Sequence, residues 1–163
     1  MSVLPTRQNV DKSFRRGVEL SAWTALAEAW ELQAHLTVSQ NKINSFTEYI
    51  DDYDNGGQLE IEHKHTDIAL SPSVIGGMTI TYNAFRSEKN NLDLSLIGKY
   101  IGRQYLDNTS DKGRSIDPYG LLNFRMAYQF HLAFTRQCSI SLNVNNILNQ
   151  RYASKGYSLF LPV

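Results

Sequence analysis

The residues best placed to do chemistry fall into three groups, and the first is an acidic segment. It reads Asp51-Asp52-Tyr53-Asp54-Asn55-Gly56-Gly57 and offers the carboxylate and amide oxygens that calcium prefers. The ligand spacing of a calcium loop fails at Gly56, and the twelfth position, which needs glutamate, is His63. Because Asn-Gly favours chain reversal, we interpret the segment as the tip of a hairpin.

The second group is the histidine pair His63 and His65. Residues two apart project from the same face of an extended segment, so the pair would suit a metal ion. No third ligand lies nearby in the sequence. We therefore expect a polar loop here and no metal site.

The third group consists of charged residues on the polar sides of alternating segments: Asp93, Lys99, Arg103 and Arg125. If those segments enclose a watery lumen, the four side chains face it and are the candidates for ligand binding. Charges inside a barrel normally pair, so salt bridges along the wall are the simpler interpretation.

Patterns of catalytic residues are missing from the sequence. It has no Gly-x-Ser-x-Gly elbow, no glycine-rich phosphate loop, and no catalytic pattern of its four histidines with Ser or Cys. The single cysteine, Cys138, has no disulfide partner in the chain and lies beside a predicted turn. We expect neither an enzyme nor a bound cofactor.

Alternation of apolar and polar residues defines the elements that must position these groups. Between residues 30 and 42, one face is apolar and the other polar: Trp30, Leu32, Ala34, Leu36 and Val38 oppose Glu31, Gln33, His35, Thr37, Ser39 and Asn41. Such alternation over about 9–11 residues is typical of a membrane-spanning strand with lipid on one side and water on the other. The pattern recurs, and it predicts six strands: 15–26, 30–43, 67–82, 91–105, 119–130 and 139–147.

Two other folds stay open at this point, a soluble α+β domain and a small complete β-barrel that binds a ligand. Residues 21–35 are rich in helix formers, and Trp23, Leu26 and Trp30 would line one face of a helix. We prefer two strands around a tight turn at 27–29, because the alternation continues past residue 30. Trp23 then falls on the polar face.

The predicted connections alternate in length. Short ones lie near 27–29, 83–90 and 131–138, and long polar ones near 44–66, 106–118 and from 148 onward. Outer-membrane barrels show this asymmetry, with short periplasmic turns and long extracellular loops. Four aromatic residues of the apolar face lie near those ends of the strands that the short turns connect: Trp30, Tyr82, Tyr128 and Phe130. Their position predicts an aromatic belt at the membrane interface.

Composition limits the partners. The 163 residues are 42% hydrophobic but contain no run of about 20 apolar residues that would form a membrane-spanning helix. Lys plus Arg and Asp plus Glu number 16 each, which argues against a nucleic-acid partner. No charged and apolar leader follows Met1, so we expect no signal peptide.

Several motifs occur in a definite order along the chain, and the longest runs from Gly98 to Thr109 and reads GKYIGRQYLDNT. It is followed by Asp117-Pro118-Tyr119, Asn145-Asn146-Ile147-Leu148-Asn149, Tyr152 and Gly156-Tyr157. In this order the motifs resemble the closing strands of a TonB-dependent outer-membrane receptor, in the style of Bacteroidetes-type bacteria. Because the segments at 15–20 and 69–73 also resemble this family, the resemblance covers nearly the whole chain.

The resemblance implies an all-β, antiparallel transmembrane barrel of about 22 strands, closed around a plug. Such a receptor imports a scarce nutrient with energy from a TonB-type inner-membrane partner. Family members usually continue into a last strand with a C-terminal aromatic, whereas this chain stops at Leu161-Pro162-Val163. We therefore expect residues 1–163 to be a C-terminal barrel fragment with about six strands, in the bacterial outer membrane.

The expected partners follow from the same resemblance. They are outer-membrane lipid, the remainder of the barrel and the plug, which the lumen candidates would contact. The TonB-type protein would engage only a missing N-terminal part, so we expect no transport by the chain alone. Siderophore, cobalamin, glycan and peptide are all compatible with the sequence as the nutrient.

Overall fold

The computed structural model describes residue 10 and residues 12–52, 56–132 and 137–156. Its strands are β1 (Ser13–Ala27), β2 (Trp30–Asp51), β3 (Gln58–Asp67), β4 (Val74–Arg86), β5 (Asn90–Ile101), β6 (Gln104–Tyr105), β7 (Ser115–Ile116), β8 (Tyr119–Phe130) and β9 (Cys138–Val144). One antiparallel sheet has the order β1-β2-β4-β5-β8-β9, with β3 paired to β2, and β6 pairs with β7. The one helical element of the described residues is a 3-10 turn at Lys112–Arg114.

The predicted alternation builds this sheet. Along the path β1-β2-β4-β5-β8-β9 the register pairs even-numbered residues with even-numbered residues, except beyond the register shifts at Ala27 and Phe85. The even-numbered residues therefore share one face, here called the apolar face. The odd-numbered residues form the polar face. On each central strand the apolar face carries no charge over nine residues: 30–38, 74–82, 92–100 and 122–130. That length matches the about 9–11 residues with which a tilted strand crosses a bilayer.

The four apolar bands are staggered in one direction. The band of β2 ends at Trp30, and the register pairs Trp30 with Tyr82, Tyr82 with Leu94 and Leu94 with Met126. The band of β8 continues four residues beyond Met126, to Phe130. Four residues over three strand spacings correspond to a strand tilt of about 40°. Membrane barrels tilt their strands by about 35–45°.

The region after residue 43 differs from the prediction. β2 continues to Asp51, and its second half pairs with β3, which lies in the stretch 44–66 predicted to be a loop. The strand predicted at 67–82 is β4, which begins only at Val74. Because the β2–β3 hairpin extends past the apolar bands, neither of its faces has to be apolar. Hydrophobic alternation therefore did not reveal it.

A wide bulge separates β3 from β4. From Asp67 to Val74 the chain advances seven residues, whereas the paired stretch of β2, from Lys42 to Val38, advances only four. The bulge therefore contains three extra residues. Leu70 has a φ of 53°, and Pro72 has no N–H to donate, so neither continues the ladder. Ile68 and Leu70, which fit the alternation, belong to this bulge and not to the membrane strand.

The other boundaries are closer to the prediction. Residues 21–35 comprise the end of β1 and the start of β2, joined by Glu28 and Ala29. The alternative interpretation of this segment as a helix in an α+β domain is therefore wrong. Cross-strand pairing along nearly all of β1 outweighs the local helix propensity. The strand predicted at 91–105 divides into β5 and β6, and β9 ends at Val144, three residues before the predicted 147.

Little of the described chain is buried. The buried side chains are Asn41 and Ile43 on β2, Thr66 on β3 and Ile116 on β7. The main sheet is thus a single layer whose two broad faces are both accessible. No helix among the described residues is long and apolar enough to cross a membrane.

Candidate membrane face and lumen wall

The apolar face is exposed along its length. Leu20, Leu36, Met78, Leu96 and Ile140 lie on five different strands and expose between 40% and 61% of their surfaces. In water such a continuous surface is unfavourable by roughly 25 cal/mol per Å². Lipid would cover it without a second protein layer.

The four predicted belt aromatics form two close pairs at one end of this face. The ring centroids of Trp30 and Tyr82 are 4.7 Å apart, and those of Tyr128 and Phe130 are 5.3 Å apart. The Tyr128 hydroxyl donates to Asn90 Oδ1 at 3.2 Å. Short connections at 28–29 and 87–89 reverse the chain at this end. Rings with an apolar body and a polar tip suit a membrane–water interface, and this role stays a prediction.

The four charged candidates do not form one cluster. Asp93 and Lys99 lie on the polar face of β5, and Arg125 lies on the same face of β8. Arg103 follows β5 and forms an ion pair with Asp117, with Nη2 and Oδ1 2.7 Å apart. The predicted salt bridging is therefore present at Arg103.

The other three candidates have no ion pair with the described residues. Asp93 accepts a hydrogen bond from Asn91 Nδ2 at 2.8 Å through one carboxylate oxygen. Its other oxygen is buried and has no hydrogen-bond partner in the described part of the chain. An unpaired buried oxygen is unfavourable, so a donor from elsewhere would stabilise this site.

A groove on the polar face brings together residues that the sequence analysis did not group. The imidazole of His35 lies over Gly77, where a Cβ would be 2.3 Å from its Cε1 atom. Lys99 pairs with the same glycine from the opposite strand. Trp23, 66% exposed, lines this groove with His35 and Lys99. Only the register shows that a glycine lies between the two basic residues.

The acidic segment and the histidine pair belong to the β2–β3 hairpin. Gly56 and Gly57 have φ of 77° and 97°, as a tight reversal requires, which confirms the hairpin interpretation. Residues 53–55 of the acidic segment lie outside the described residues. His63 Nε2 is 2.7 Å from Glu48 Oε2, and no group of three potential metal ligands occurs in the described chain.

Comparison with known proteins identifies the sheet. A family model described as "TonB dependent receptor-like, beta-barrel" matches residues 2–147. The chain belongs to this family. The resemblance of the sequence motifs is thereby confirmed, as is the all-β, antiparallel fold of a membrane barrel. No curated protein and no solved structure matches the chain.

The TonB-dependent receptors are outer-membrane β-barrel proteins, which assigns the chain to the outer membrane. Family membership also makes transport the general function, with a plug and a TonB-type protein as partners of the receptor. The sheet itself is open, because β1 and β9 each have a neighbour on only one side among the described residues.

Proposed function

We propose that the chain forms the wall of an outer-membrane receptor that takes up a scarce nutrient with energy from a TonB-type protein. The observation that carries this proposal is the set of four nine-residue apolar bands, staggered as a tilted barrel requires. A soluble sandwich would need a second layer over this face, and the described residues supply none.

The open edges support the idea that other strands complete the barrel. Unpaired backbone groups in lipid are unfavourable by several kcal/mol each, so spanning sheets close on themselves. Six strands are fewer than the eight or so with which single-chain barrels begin. The chain is thus best explained as part of a larger barrel, and not as a complete small barrel that binds a ligand.

The connection lengths support one orientation. The turns at 28–29 and 87–89 would face the periplasm, and the β2–β3 hairpin and residues 102–118 would face outward. Trp30, Tyr82, Tyr128 and Phe130 would then form the periplasmic belt. The odd-numbered face becomes the lumen wall.

Lys99, Arg125 and Asp93 would meet either the plug or a passing solute on this wall. Their lack of ion pairs among the described residues favours a contact with another component, while Arg103 is already paired with Asp117. We propose no enzymatic activity and no metal or cofactor. Siderophore, cobalamin, glycan and peptide stay alternatives for the nutrient.

A genetic experiment tests the proposed uptake. Deleting the region that encodes this chain should slow growth only when a nutrient too large or too scarce for passive diffusion is limiting. Loss of the TonB-type protein should cause the same defect, and combining the two deletions should add nothing for that nutrient. Additive defects, or a chain found outside the outer-membrane fraction, would contradict the proposal.

A further inference from the structure

The segment 102–118 between β5 and β8, here called the strap, lies against the β2–β3 hairpin and the bulge. Asn108 Oδ1 accepts a hydrogen bond from the backbone N–H of Ala69 at 2.8 Å. The carbonyl of Tyr105 accepts one from the N–H of Leu70, also at 2.8 Å. The strap therefore supplies partners to backbone groups that the bulge removes from the ladder.

A third anchor joins the strap to the end of β3. Ser110 Oγ accepts from the backbone N–H of Asp67 at 2.7 Å and donates to the Asp67 carboxylate at 3.1 Å. Lys42 Nζ lies 2.8 Å from the same carboxylate. Strap, bulge and β2 are thus connected through one aspartate.

A cluster of charged and hydrogen-bonding side chains joins the strap to the middle of the hairpin. Glu48 on β2 lies between two basic groups: its Oε1 is 3.4 Å from Arg114 Nη1, and its Oε2 is 2.7 Å from His63 Nε2. Arg114 Nη1 is also 3.0 Å from Asp107 Oδ2 within the strap. These four residues are here called the latch.

The latch is poorly exposed for a group of charges. The side chains of Glu48 and Asp107 expose 11% and 15% of their surfaces, and that of Arg114 exposes 29%. Burial lowers the pKa of Arg114, but the charges of Asp107 and Glu48 together with hydrogen bonds to Asp111 and Glu48 raise it, and the net direction is upward. Removing one partner would leave a partly desolvated charge, which is far more unfavourable than losing an exposed ion pair.

We propose that the latch holds the strap closed over the hairpin, and that Glu48 is its positioning residue. With the latch intact, strap and hairpin move as one rigid unit. With Glu48 neutralised, Arg114 keeps its partners within the strap, Asp107 and Asp111, but loses its contact with the hairpin. The strap then lifts, which also withdraws the anchors at the bulge. This device does not depend on which nutrient the receptor takes up.

Hydrogen exchange of the bulge amides tests the proposal at a distance from Glu48. The amides of Asp67, Ala69 and Leu70 donate to strap atoms and should be protected in the receptor in outer-membrane vesicles. Glu48→Gln should speed their exchange by at least about fivefold, because an opened strap exposes them to water. The control Glu62→Gln removes only an exposed ion pair with Lys64 and should change nothing.

A second variant keeps the test decisive. Arg114→Gln removes the other half of the latch and should speed exchange at the same amides, while the amides of the β4–β5 ladder stay protected and report an intact barrel. Faster exchange at the bulge in both variants with the ladder intact supports the latch. Bulge exchange that matches the Glu62→Gln control in either variant would overturn it, whatever the result for uptake.

Discussion

The parity of a residue number separates two environments in this chain, and single residues show how sharply. The side chain of Leu96 on the apolar face has no polar atom, and the residue is 40% exposed. The hydroxyl of its neighbour Ser95 instead shares a hydrogen bond with the Thr81 hydroxyl across the ladder, with the two oxygens 3.0 Å apart. Adjacent side chains on a strand point to opposite faces, so one step along β5 exchanges lipid for water. Substitutions at neighbouring positions should therefore differ strongly.

Arginine substitutions at different depths in the membrane and on the two faces of the sheet measure this difference in environment. Leu96→Arg, at the centre of its band, should destabilise the folded receptor in the membrane by about 2–4 kcal/mol, and Val38→Arg, at the edge of its band, by about 0–1 kcal/mol. Thr37→Arg on the polar face should be mild at any depth. Unfolding by urea in lipid vesicles gives the three values. Equal destabilisation at Leu96 and Thr37 would refute the assignment of faces.

The contact between Gly77 and His35 predicts a coupled pair of substitutions. Gly77→Val should destabilise the barrel by about 0.5–1.5 kcal/mol, because its Cβ would overlap the imidazole of His35 and the exposed ring must leave its rotamer. In a His35→Ala background the same change should be milder, with a coupling of about 0.5–1 kcal/mol in a double-mutant cycle. Gly120→Val serves as control, since the nearest atom to its Cβ is 3.7 Å away. Additive effects at Gly77 and His35 would show that the ring does not occupy this space.

The strands with apolar bands could be predicted from sequence, whereas strand β3, which lies beyond those bands, could not. In residues 30–38 and in residues 122–130, a face that contacts lipid requires apolar residues at every second position, and this alternation is visible in the sequence. β3 lies beyond that constraint, with Glu60, Glu62 and Lys64 on one side, and its pairing with β2 was missed. Ile68 and Leu70 fit the alternation and were misassigned, since the effect of Pro72 on the ladder depends on its partner strand.

The candidate site residues show the same difference between features that follow the strand alternation and features that depend on contacts between distant segments. The grouping of Trp30 with Tyr82 and of Tyr128 with Phe130 could be expected from strand parity and the positions of the short turns, and the structure places these rings in two pairs. Their role as a belt at the membrane interface stays a prediction. The contact of Arg114 with Glu48 joins residues 66 positions apart through an irregular segment. The groove at Gly77 depends on the register of three strands. Neither leaves a periodic signal that a single sequence displays.

The connections predict which ends of the hairpins face outward. An epitope inserted between Gly56 and Gly57, where an added Cβ meets nothing within 4 Å, should bind antibody on intact cells. An epitope between Ser87 and Glu88, in an exposed turn at the other end of the sheet, should bind only after the outer membrane is opened. The reverse result would invert the orientation. Equal binding at both sites would contradict a spanning sheet.

At the scale of the whole molecule, the chain is a tilted, single-layer wall with two unsatisfied edges. The strand tilt of about 40° follows from the register together with the positions of the apolar bands, and the band length of nine residues suits a strand that crosses a bilayer at such a tilt. Neither observation requires knowledge of the nutrient. We propose that in the membrane lipid covers the even-numbered face and water covers the odd-numbered face.

Spin-label accessibility along β5 tests this claim most directly. Nitroxides placed one at a time at residues 92–100 of the membrane-assembled receptor, in a Cys138→Ser background, report contact with oxygen in lipid or with a nickel chelate in water. We expect oxygen contact at even positions and nickel contact at odd positions, alternating with a period of two. A uniform profile, or maximal oxygen contact at the odd positions, would contradict the account.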